Sequence, residues 1–283
     1  MTDTIAAPSR GSLVDIHGFN GAVIALFPGS IYIAPDMVGN DMLVVHDAAH
    51  GHTPTSVHVD RRNLTAVAPG DRVAGRAGHL RVGPIVIDIR ASRIWQPVVA
   101  SPSNVPMTTM QRFADLCRTR RLGSCDLDDS VATLLGALNG TGHGCRSAAV
   151  GAALARIIGR GPGLTPSGDD VMVGMLAVLH RATSPTVSTP MIDELSRALP
   201  GLLGRTTPIS AHYLRLAVRG AFTERLVELV DTLRNETMPH DALVKAFDDV
   251  LATGATSGAD ALGGIDLTMR MLATRFSELE NVA

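Results

Sequence analysis

The spacing of apolar residues changes near residue 100, and this change constrains the fold more than any other feature of the chain. Before it, short runs rich in valine and isoleucine alternate with turn residues such as Pro28-Gly29 and Gly83-Pro84. Such runs are typical of β-strands joined by tight turns. The sequence therefore predicts a small antiparallel barrel or sandwich over residues 12–97. The predicted strands are Ala22–Phe27, Ile31–Ile33, Met42–Val45, Val57–Val59, Val73–Ala74 and Ile85–Ile89.

The pattern becomes helical after Pro97–Pro106, a segment rich in proline and serine that we predict to be a linker. Met110, Phe113 and Cys117 share one face of a predicted helix, and comparable spacing continues to residue 279. The predicted fold class is α+β, with a β-rich, barrel- or sandwich-like N-terminal domain in residues 1–100 and an all-α domain in residues 101–283. The predicted helices cover residues 107–121, 128–139, 146–158, 168–182, 190–203, 209–219, 222–234, 239–252 and 258–279.

Composition argues against several classes of partner and location. The chain has a net charge of −2 and 18% charged residues, so it has no excess of positive charge for nucleic acid or an anionic membrane. Its longest strongly apolar stretch, Val171–Leu179, is shorter than the about 20 residues of a membrane-spanning helix. Three cysteines without a C-x-x-C pair indicate neither a disulfide framework nor a zinc site. The first ten residues lack the apolar run of a secretory signal, so we expect a cytoplasmic protein.

The segment Gly159–Asp170, GRGPGLTPSGDD, is the strongest candidate for a functional site. Its three glycines at alternate positions permit positive φ angles and close approach of a bound group. The stretch that follows has almost no polar side, which predicts a helix in the middle of a bundle. With Thr165 or Ser167 as cap, and SGDD as a capping box, this start predicts an anion site formed by free amides and the helix dipole. A capped helix start without further function is the alternative.

Two other segments have the composition of helix starts. In Arg205–Ser210, RTTPIS, Thr207 precedes a proline suited to the first helical turn, and Arg205 has the geometry to pair with an anion through two hydrogen bonds. The segment Ser257–Asp260, SGAD, resembles SGDD and predicts a second capping box with Ser257 as cap. Similar starts in one bundle predict helix N-termini that converge on one pocket. Coincidence of capping chemistry is the alternative.

Four histidines lie close together in the β-rich part, at His46, His50, His52 and His58. Their spacing is not that of a regular set of metal ligands, and they surround a predicted turn. We therefore predict a solvated hairpin at these positions.

The three helix-start motifs, in this order and spacing, resemble the AllH family, a subunit of oxamate carbamoyltransferase. The resemblance is carried by GPGLTPSGDD, TTPIS and TSGAD with its following glycine, within residues 125–270. It implies the phosphorolysis of an oxalurate-like ureido acid to oxamate and carbamoyl phosphate, in anaerobic allantoin use, by a multi-subunit enzyme. The implied partners are phosphate or carbamoyl phosphate, a ureido acid and other protein subunits.

The resemblance and the anion site together predict roles for residues at the three helix starts. Backbone amides and an arginine would stabilise the charge that develops on the carbamoyl oxygen. Asp169, Asp170 and Asp260 are the candidate catalytic residues, which either orient these donors or hold a divalent cation. Oxygen-only ligation would favour Mg²⁺ over zinc, and the metal itself stays open. The candidates for binding substrate and phosphate are Gly161, Gly163, Thr165, Ser167, Gly168, Arg205, Thr206, Thr207, Ser210 and Ser257.

Two alternatives come from other functional classes. An all-α domain with aspartates at helix starts is also compatible with a hydrolase that depends on Mg²⁺ or Mn²⁺. The chain is also compatible with a non-catalytic scaffold that binds a phosphate-containing ligand beside catalytic partners.

Overall fold

The protein is described by a computed structural model over residues 4–37, 39–60, 64–98, 103–122, 127–140 and 143–280. The chain divides into two compact units, Met1–Val98 and Val99–Ala283, called unit 1 and unit 2 below. Strands lie in unit 1 and α-helices in unit 2, which confirms the predicted α+β class. The predicted linker includes residues 99–102, which lie outside the described residues. No helix in the described ranges is long and apolar enough to cross a membrane.

Unit 1 is one curled sheet that forms half of a barrel. Its strands follow the order β1-β9-β8-β7-β3-β4-β5-β6-β2-β10 across the sheet. Each of the six predicted strands overlaps an observed one. The strands are β1 (Thr4–Ala6), β2 (Ser9–Gly11), β3 (Asn20–Phe27), β4 (Ser30–Pro35), β5 (Leu43–His46), β6 (Ser56–His58), β7 (Arg72–Arg76), β8 (His79–Val82), β9 (Ile85–Asp88) and β10 (Arg93–Trp95).

The antiparallel character predicted for this barrel or sandwich is wrong in part, because three strand pairs among the described residues are parallel. They are β1 with β9, β2 with β10, and β5 with β6. Turn residues such as Pro28-Gly29 reveal hairpins, whereas parallel partners are joined by longer connections that leave no local signal. The four strands that the sequence analysis missed, β1, β2, β8 and β10, have only three or four residues each.

The four histidines show a second departure from expectation. His46, His52 and His58 are buried, so the predicted solvated hairpin is wrong. Because β5 and β6 pair in parallel, His46 lies opposite His58 in the sheet. A parallel pair of this kind brings together residues whose sequence spacing shows no pattern.

Unit 2 contains nine α-helices within the described residues, and each overlaps a predicted helix. The fifth helix begins five residues earlier than expected, because Pro185 and not Pro190 occupies its first turn. A 3-10 helix, Leu199–Arg205, follows it. The helices are α1 (Met107–Thr119), α2 (Asp128–Asn139), α3 (His143–Leu154), α4 (Ser167–Arg181), α5 (Pro185–Ala198), α6 (Pro208–Val218), α7 (Glu224–Leu233), α8 (His240–Leu251) and α9 (Ser257–Glu280).

Helix α4 lies in the middle of unit 2, as its apolar sequence predicts. Every residue from Val171 to Leu179 except Val173 is buried. Helix α9 packs closely against it. A Cβ atom on Gly174 would lie 2.0 Å from the Ala261 carbonyl oxygen, and one on Gly264 would lie 2.1 Å from that of Val171. These reciprocal contacts allow the two backbones to approach without intervening side chains.

Candidate functional site

The Asp169 carboxylate joins the start of α4 to the start of α6. It is 1% exposed and accepts hydrogen bonds from three donors. The Gly159 amide donates to Oδ1 at 2.8 Å, and the Ser210 hydroxyl donates to Oδ2 at 2.6 Å. The Thr206 hydroxyl also donates to Oδ2. A buried carboxylate needs such partners because transfer out of water is costly. Asp169 therefore holds the glycine loop and the TTPIS segment together.

Thr207 provides a second connection between the same two segments. It precedes the first residue of α6, and its hydroxyl oxygen accepts from the Ser210 amide at 3.1 Å. The same hydroxyl donates to the Leu164 carbonyl oxygen in the glycine loop. The predicted cap at Thr207 is thus confirmed, and it also anchors the loop.

The start of α9 meets the start of α4 through hydroxyl groups. Thr165 Oγ1 and Ser257 Oγ lie 2.6 Å apart. Both hydroxyls also interact with the Asp170 carboxyl, while the negative charge of Asp260 acts on it from α9. The structure therefore brings all three helix starts together, with Asp169 and Asp170 as the links.

Asp170 and Asp260 each have a carboxyl oxygen that is buried without a partner. For both residues this atom is Oδ2. Burial raises the pKa of Asp170 from its ordinary value of 3.8 to about 7. The hydroxyls of Ser257 and Thr165 lower this pKa, whereas the charges of Asp260 and Asp169 raise it further. Asp170 can therefore exchange a proton near neutral pH, which is a property of groups that act as acids or bases in catalysis.

The glycines of the loop adopt the conformations that the sequence predicts. Gly159, Gly161 and Gly163 have φ angles of 75°, 115° and 92°. A Cβ on Gly159 would lie 2.2 Å from the Arg205 carbonyl oxygen, and one on Gly161 would lie 2.7 Å from the Ser167 amide nitrogen. Nothing lies within 4 Å of a Cβ on Gly163. The first two glycines thus serve packing within the protein, while Gly163 faces open space.

The predicted capping boxes are not present. Pro166 precedes the first residue of α4, and no side chain caps this helix. The Gly168 amide donates to the Arg160 carbonyl oxygen at 2.9 Å, and the Asp169 amide donates to that of Pro166 at 2.9 Å. The loop therefore folds back onto the start of α4. Its carbonyl oxygens accept hydrogen bonds from amides that were predicted to be free to bind an anion.

The start of α9 departs from the prediction in a similar way. Ser257 is the first residue of the helix and not its cap, since the Asp260 amide donates to the Thr256 carbonyl oxygen at 2.9 Å. The Ser257 hydroxyl is consequently available to Thr165 and Asp170. In place of a cap, this serine contributes to the contact between helices.

The remaining candidate residues fall into two groups. Gly168 is buried against the backbone, because a Cβ there would lie 2.0 Å from the Ile157 carbonyl oxygen, so its role is packing. Arg205 ends the 3-10 helix beside the loop, and its side chain is exposed. In the described part of the chain, no group of three or more His, Cys, Asp or Glu side chains is arranged to hold a metal ion.

A repeated pattern at the two converging helices was missed by the sequence analysis. Ser167–Gly174 and Ser257–Gly264 both read S-G-x-D-x-x-x-G. Gly168 and Gly258 each approach a backbone carbonyl oxygen, and the last glycine of each pattern contacts the other helix. Asp170 and Asp260 therefore occupy equivalent positions. Extension of the SGDD and SGAD comparison by four residues would have revealed this relationship.

The comparison with protein families agrees with the motifs. Residues 157–269 match the model of the family described as oxamate carbamoyltransferase subunit AllH, which confirms the resemblance over this segment. The segment contains the starts of α4, α6 and α9. The family description points to a subunit of oxamate carbamoyltransferase and therefore to other protein subunits. No solved structure matches the chain.

Proposed function

We propose that this chain is a subunit of a cytoplasmic carbamoyltransferase, in which the three helix starts form part of the site for an oxalurate-like ureido acid and phosphate. The observation that carries the proposal is the pair of buried, unpartnered carboxyl oxygens on Asp170 and Asp260. They lie inside the segment that matches the family. A ureido group has several N–H donors, which are the partners that such oxygens lack.

The reaction requires a proton at a defined point. A phosphate oxygen attacks the carbamoyl carbon, the bond from this carbon to the oxamate nitrogen breaks, and carbamoyl phosphate forms. The departing amide nitrogen must then take up a proton to give oxamate. Asp170 is suited to supply it, because a pKa of about 7 leaves much of this carboxyl protonated at neutral pH. Asp260 then accepts a hydrogen bond from a ureido N–H.

The phosphate must approach the carbamoyl carbon from the side opposite these carboxyl groups, since like charges repel. The exposed side of the loop at Gly161 and Gly163, with the exposed Arg205, is the part of the site that suits an anion. The positive ends of the helix dipoles at α4 and α6 add to this preference. Asp169 acts as a positioning residue because it fixes Thr206, Ser210 and the loop.

Calorimetric titration of the purified chain with oxamate and with carbamoyl phosphate tests this proposal. We expect Asp260→Asn to weaken binding of oxamate by at least about tenfold, the loss associated with a hydrogen bond to a charged group. Asp241→Asn is the matched control, since Asp241 also lies in the first turn of a helix but is exposed. Equal binding by the wild type and a folded Asp260→Asn variant would contradict the assignment.

A second candidate function is a hydrolase that depends on Mg²⁺ or Mn²⁺. The two unpartnered oxygens of Asp170 and Asp260 favour it, because carboxylate oxygens are ligands for such cations. The full set of partners on Asp169 counts against it, since only two of the three carboxylates remain for ligation. Binding of oxamate that requires added Mg²⁺, with hydrolysis of a substrate by the chain alone, would favour this candidate.

A further inference from the structure

The histidine cluster of unit 1, His46, His50, His52 and His58, lies outside the segment that matches the family. Its rings form a continuous array. His46 stacks on His50 with ring centroids 5.4 Å apart and an interplanar angle of 5°, and it meets His58 edge-on at 6.2 Å. His58 stacks on His52 at 4.0 Å, and His52 stacks on Trp95 at 5.4 Å.

His46 occupies a buried position in this array that offers little support for a charge. It is 4% exposed, and its Nδ1 lies 2.8 Å from the Ser30 hydroxyl oxygen. Its Nε2 is buried and has no hydrogen-bond partner. When Ser30 donates to Nδ1, Nε2 carries an unpaired N–H, and when Ser30 accepts, Nε2 is an unpaired acceptor. In either form, the addition of a proton creates a buried charge with no acceptor at Nε2.

The groups around His46 do not compensate such a charge. Tyr32 on β4 presents its ring edge-on at 6.4 Å, and the other ionisable neighbours are the three histidines and Asp47. The Asp47 carboxylate accepts from the His50 ring at 2.7 Å and from the Ala49 amide at 3.0 Å. A proton on any neighbouring histidine adds repulsion, and only Asp47 adds attraction.

We propose that the histidine cluster makes unit 1 a pH-sensitive element, which opens on acidification through protonation of His46 while unit 2 remains folded. Opening separates β4, β5 and β6, because Ser30, His46 and His58 lie on these three strands. In an opened chain the imidazole regains water and takes up its proton. The two units have separate hydrophobic cores, so one can lose its packing without loss of the other.

The direction of the effect follows from proton linkage. Burial, more than the neighbouring histidines, lowers the pKa of His46 from 6.5 to about 3. The unfolded form therefore binds one more proton than the folded form between these values. The contribution of His46 to the stability of unit 1 is fully present above about pH 6.5 and declines as the pH falls below it.

Urea unfolding of the full chain tests the proposal with separate signals for the two units. Trp95 is the only tryptophan in the sequence, and its stacking on His52 makes its fluorescence a reporter of the cluster. The helical circular dichroism signal reports mainly on unit 2. We expect the equilibrium constant for unfolding, measured by fluorescence, to rise by up to about tenfold for each unit that the pH falls below about 6. The constant measured from the helical signal should rise less.

Two variants assign the effect to His46. His46→Phe keeps an aromatic ring without a titrating group and should reduce the pH dependence by one proton. His17→Asn removes an exposed histidine of the same unit and should leave the dependence unchanged. Equal pH dependence in the wild type and His46→Phe would overturn the proposal, as would simultaneous loss of both signals on acidification.

If the His46→Phe variant does not fold, a measurement on the wild type still tests the proposal. In NMR spectra of the full chain, the ring proton of His46 should show no titration from about pH 7.5 to about pH 5 while unit 1 remains folded. A transition of His46 near 6.5 in the folded protein would overturn the proposal.

Discussion

Both units bury ionisable side chains with unpartnered atoms, but the buried groups are acidic in unit 2 and basic in unit 1. In unit 2 the carboxyl cluster, Asp169, Asp170 and Asp260, has hydroxyl and amide donors around it. In unit 1 the histidine cluster is surrounded mainly by other rings. Burial favours the neutral form in both places, so it raises the pKa of Asp170 and lowers that of His46.

The two clusters consequently predict opposite responses to pH. A carboxyl group with a raised pKa binds its proton more tightly in the folded state than in the unfolded state. The contribution of Asp170 to the stability of unit 2 is therefore present at low pH and is lost as the pH rises toward about 7. His46 instead destabilises unit 1 as the pH falls. Both pKa values are shifted by burial, yet acid strengthens the contribution of Asp170 to unit 2 and weakens that of His46 to unit 1.

Removal of the Asp169 carboxylate should have the largest effect and should be confined to unit 2. Asp169→Ala leaves the Gly159 amide and the Ser210 and Thr206 hydroxyls without their acceptor. A buried donor that loses its acceptor costs about 1–3 kcal/mol, and this substitution leaves three such donors. Urea unfolding followed by helical circular dichroism measures the loss, and Trp95 fluorescence should show no change in unit 1. Asp241→Ala is the exposed control, and an equal effect from it would contradict this role.

Asp170→Asn should stabilise unit 2 at alkaline pH, because it removes a carboxylate that is charged and incompletely paired in a buried position. The gain should reach roughly 2–4 kcal/mol at about pH 8, because burial raises the pKa of Asp170 from 3.8 to about 7 and each pKa unit corresponds to about 1.36 kcal/mol. It should vanish near about pH 4, where the wild-type carboxyl is protonated. Unfolding measured at both pH values tests the sign, and a loss of stability at the higher pH would refute it.

Ser30→Ala should weaken unit 1 by about 1–3 kcal/mol, because it leaves both ring nitrogens of the buried His46 without a partner. The midpoint of the Trp95 fluorescence transition measures this change. The helical signal of unit 2 should be unaffected. An unchanged free energy of unfolding of unit 1 in Ser30→Ala would show that the hydrogen bond between Ser30 and His46 does not stabilise the cluster.

Thr207→Ala should have the smallest effect, a loss of about 1 kcal/mol from unit 2, which is typical of an N-cap. The hydroxyl also donates to the Leu164 carbonyl, so the glycine loop should become more mobile. Hydrogen exchange of the loop amides measures this second effect. Unchanged exchange would show that Asp169 alone holds the loop.

The sequence predicts much of unit 2 because the signals there are local. Apolar spacing indicates the nine α-helices of the described residues, and glycines at 159, 161 and 163 indicate positive φ angles. The roles of the polar residues were harder to predict. Ser167 and Ser257 look like caps in sequence, yet a proline precedes one helix and a contact between helices engages the other serine.

Unit 1 is less predictable because its important contacts are distant in sequence. The parallel pairing of β5 with β6 puts His46 opposite His58, and Ser30 reaches His46 from the neighbouring strand. Neither relationship leaves a periodic signal. The sequence therefore indicates six of the ten strands in the described residues, but it gives no warning that three histidines are buried.

The pH titration of the Asp170 side chain tests the central claim most directly. The carboxyl carbon resonance of Asp170 can be followed by NMR in the full chain, with and without oxamate. We predict a midpoint near pH 7 in the free protein and a shift of that midpoint when oxamate binds. A midpoint close to 3.8, the ordinary value for aspartate, with no response to oxamate, would contradict a buried proton donor at the three helix starts.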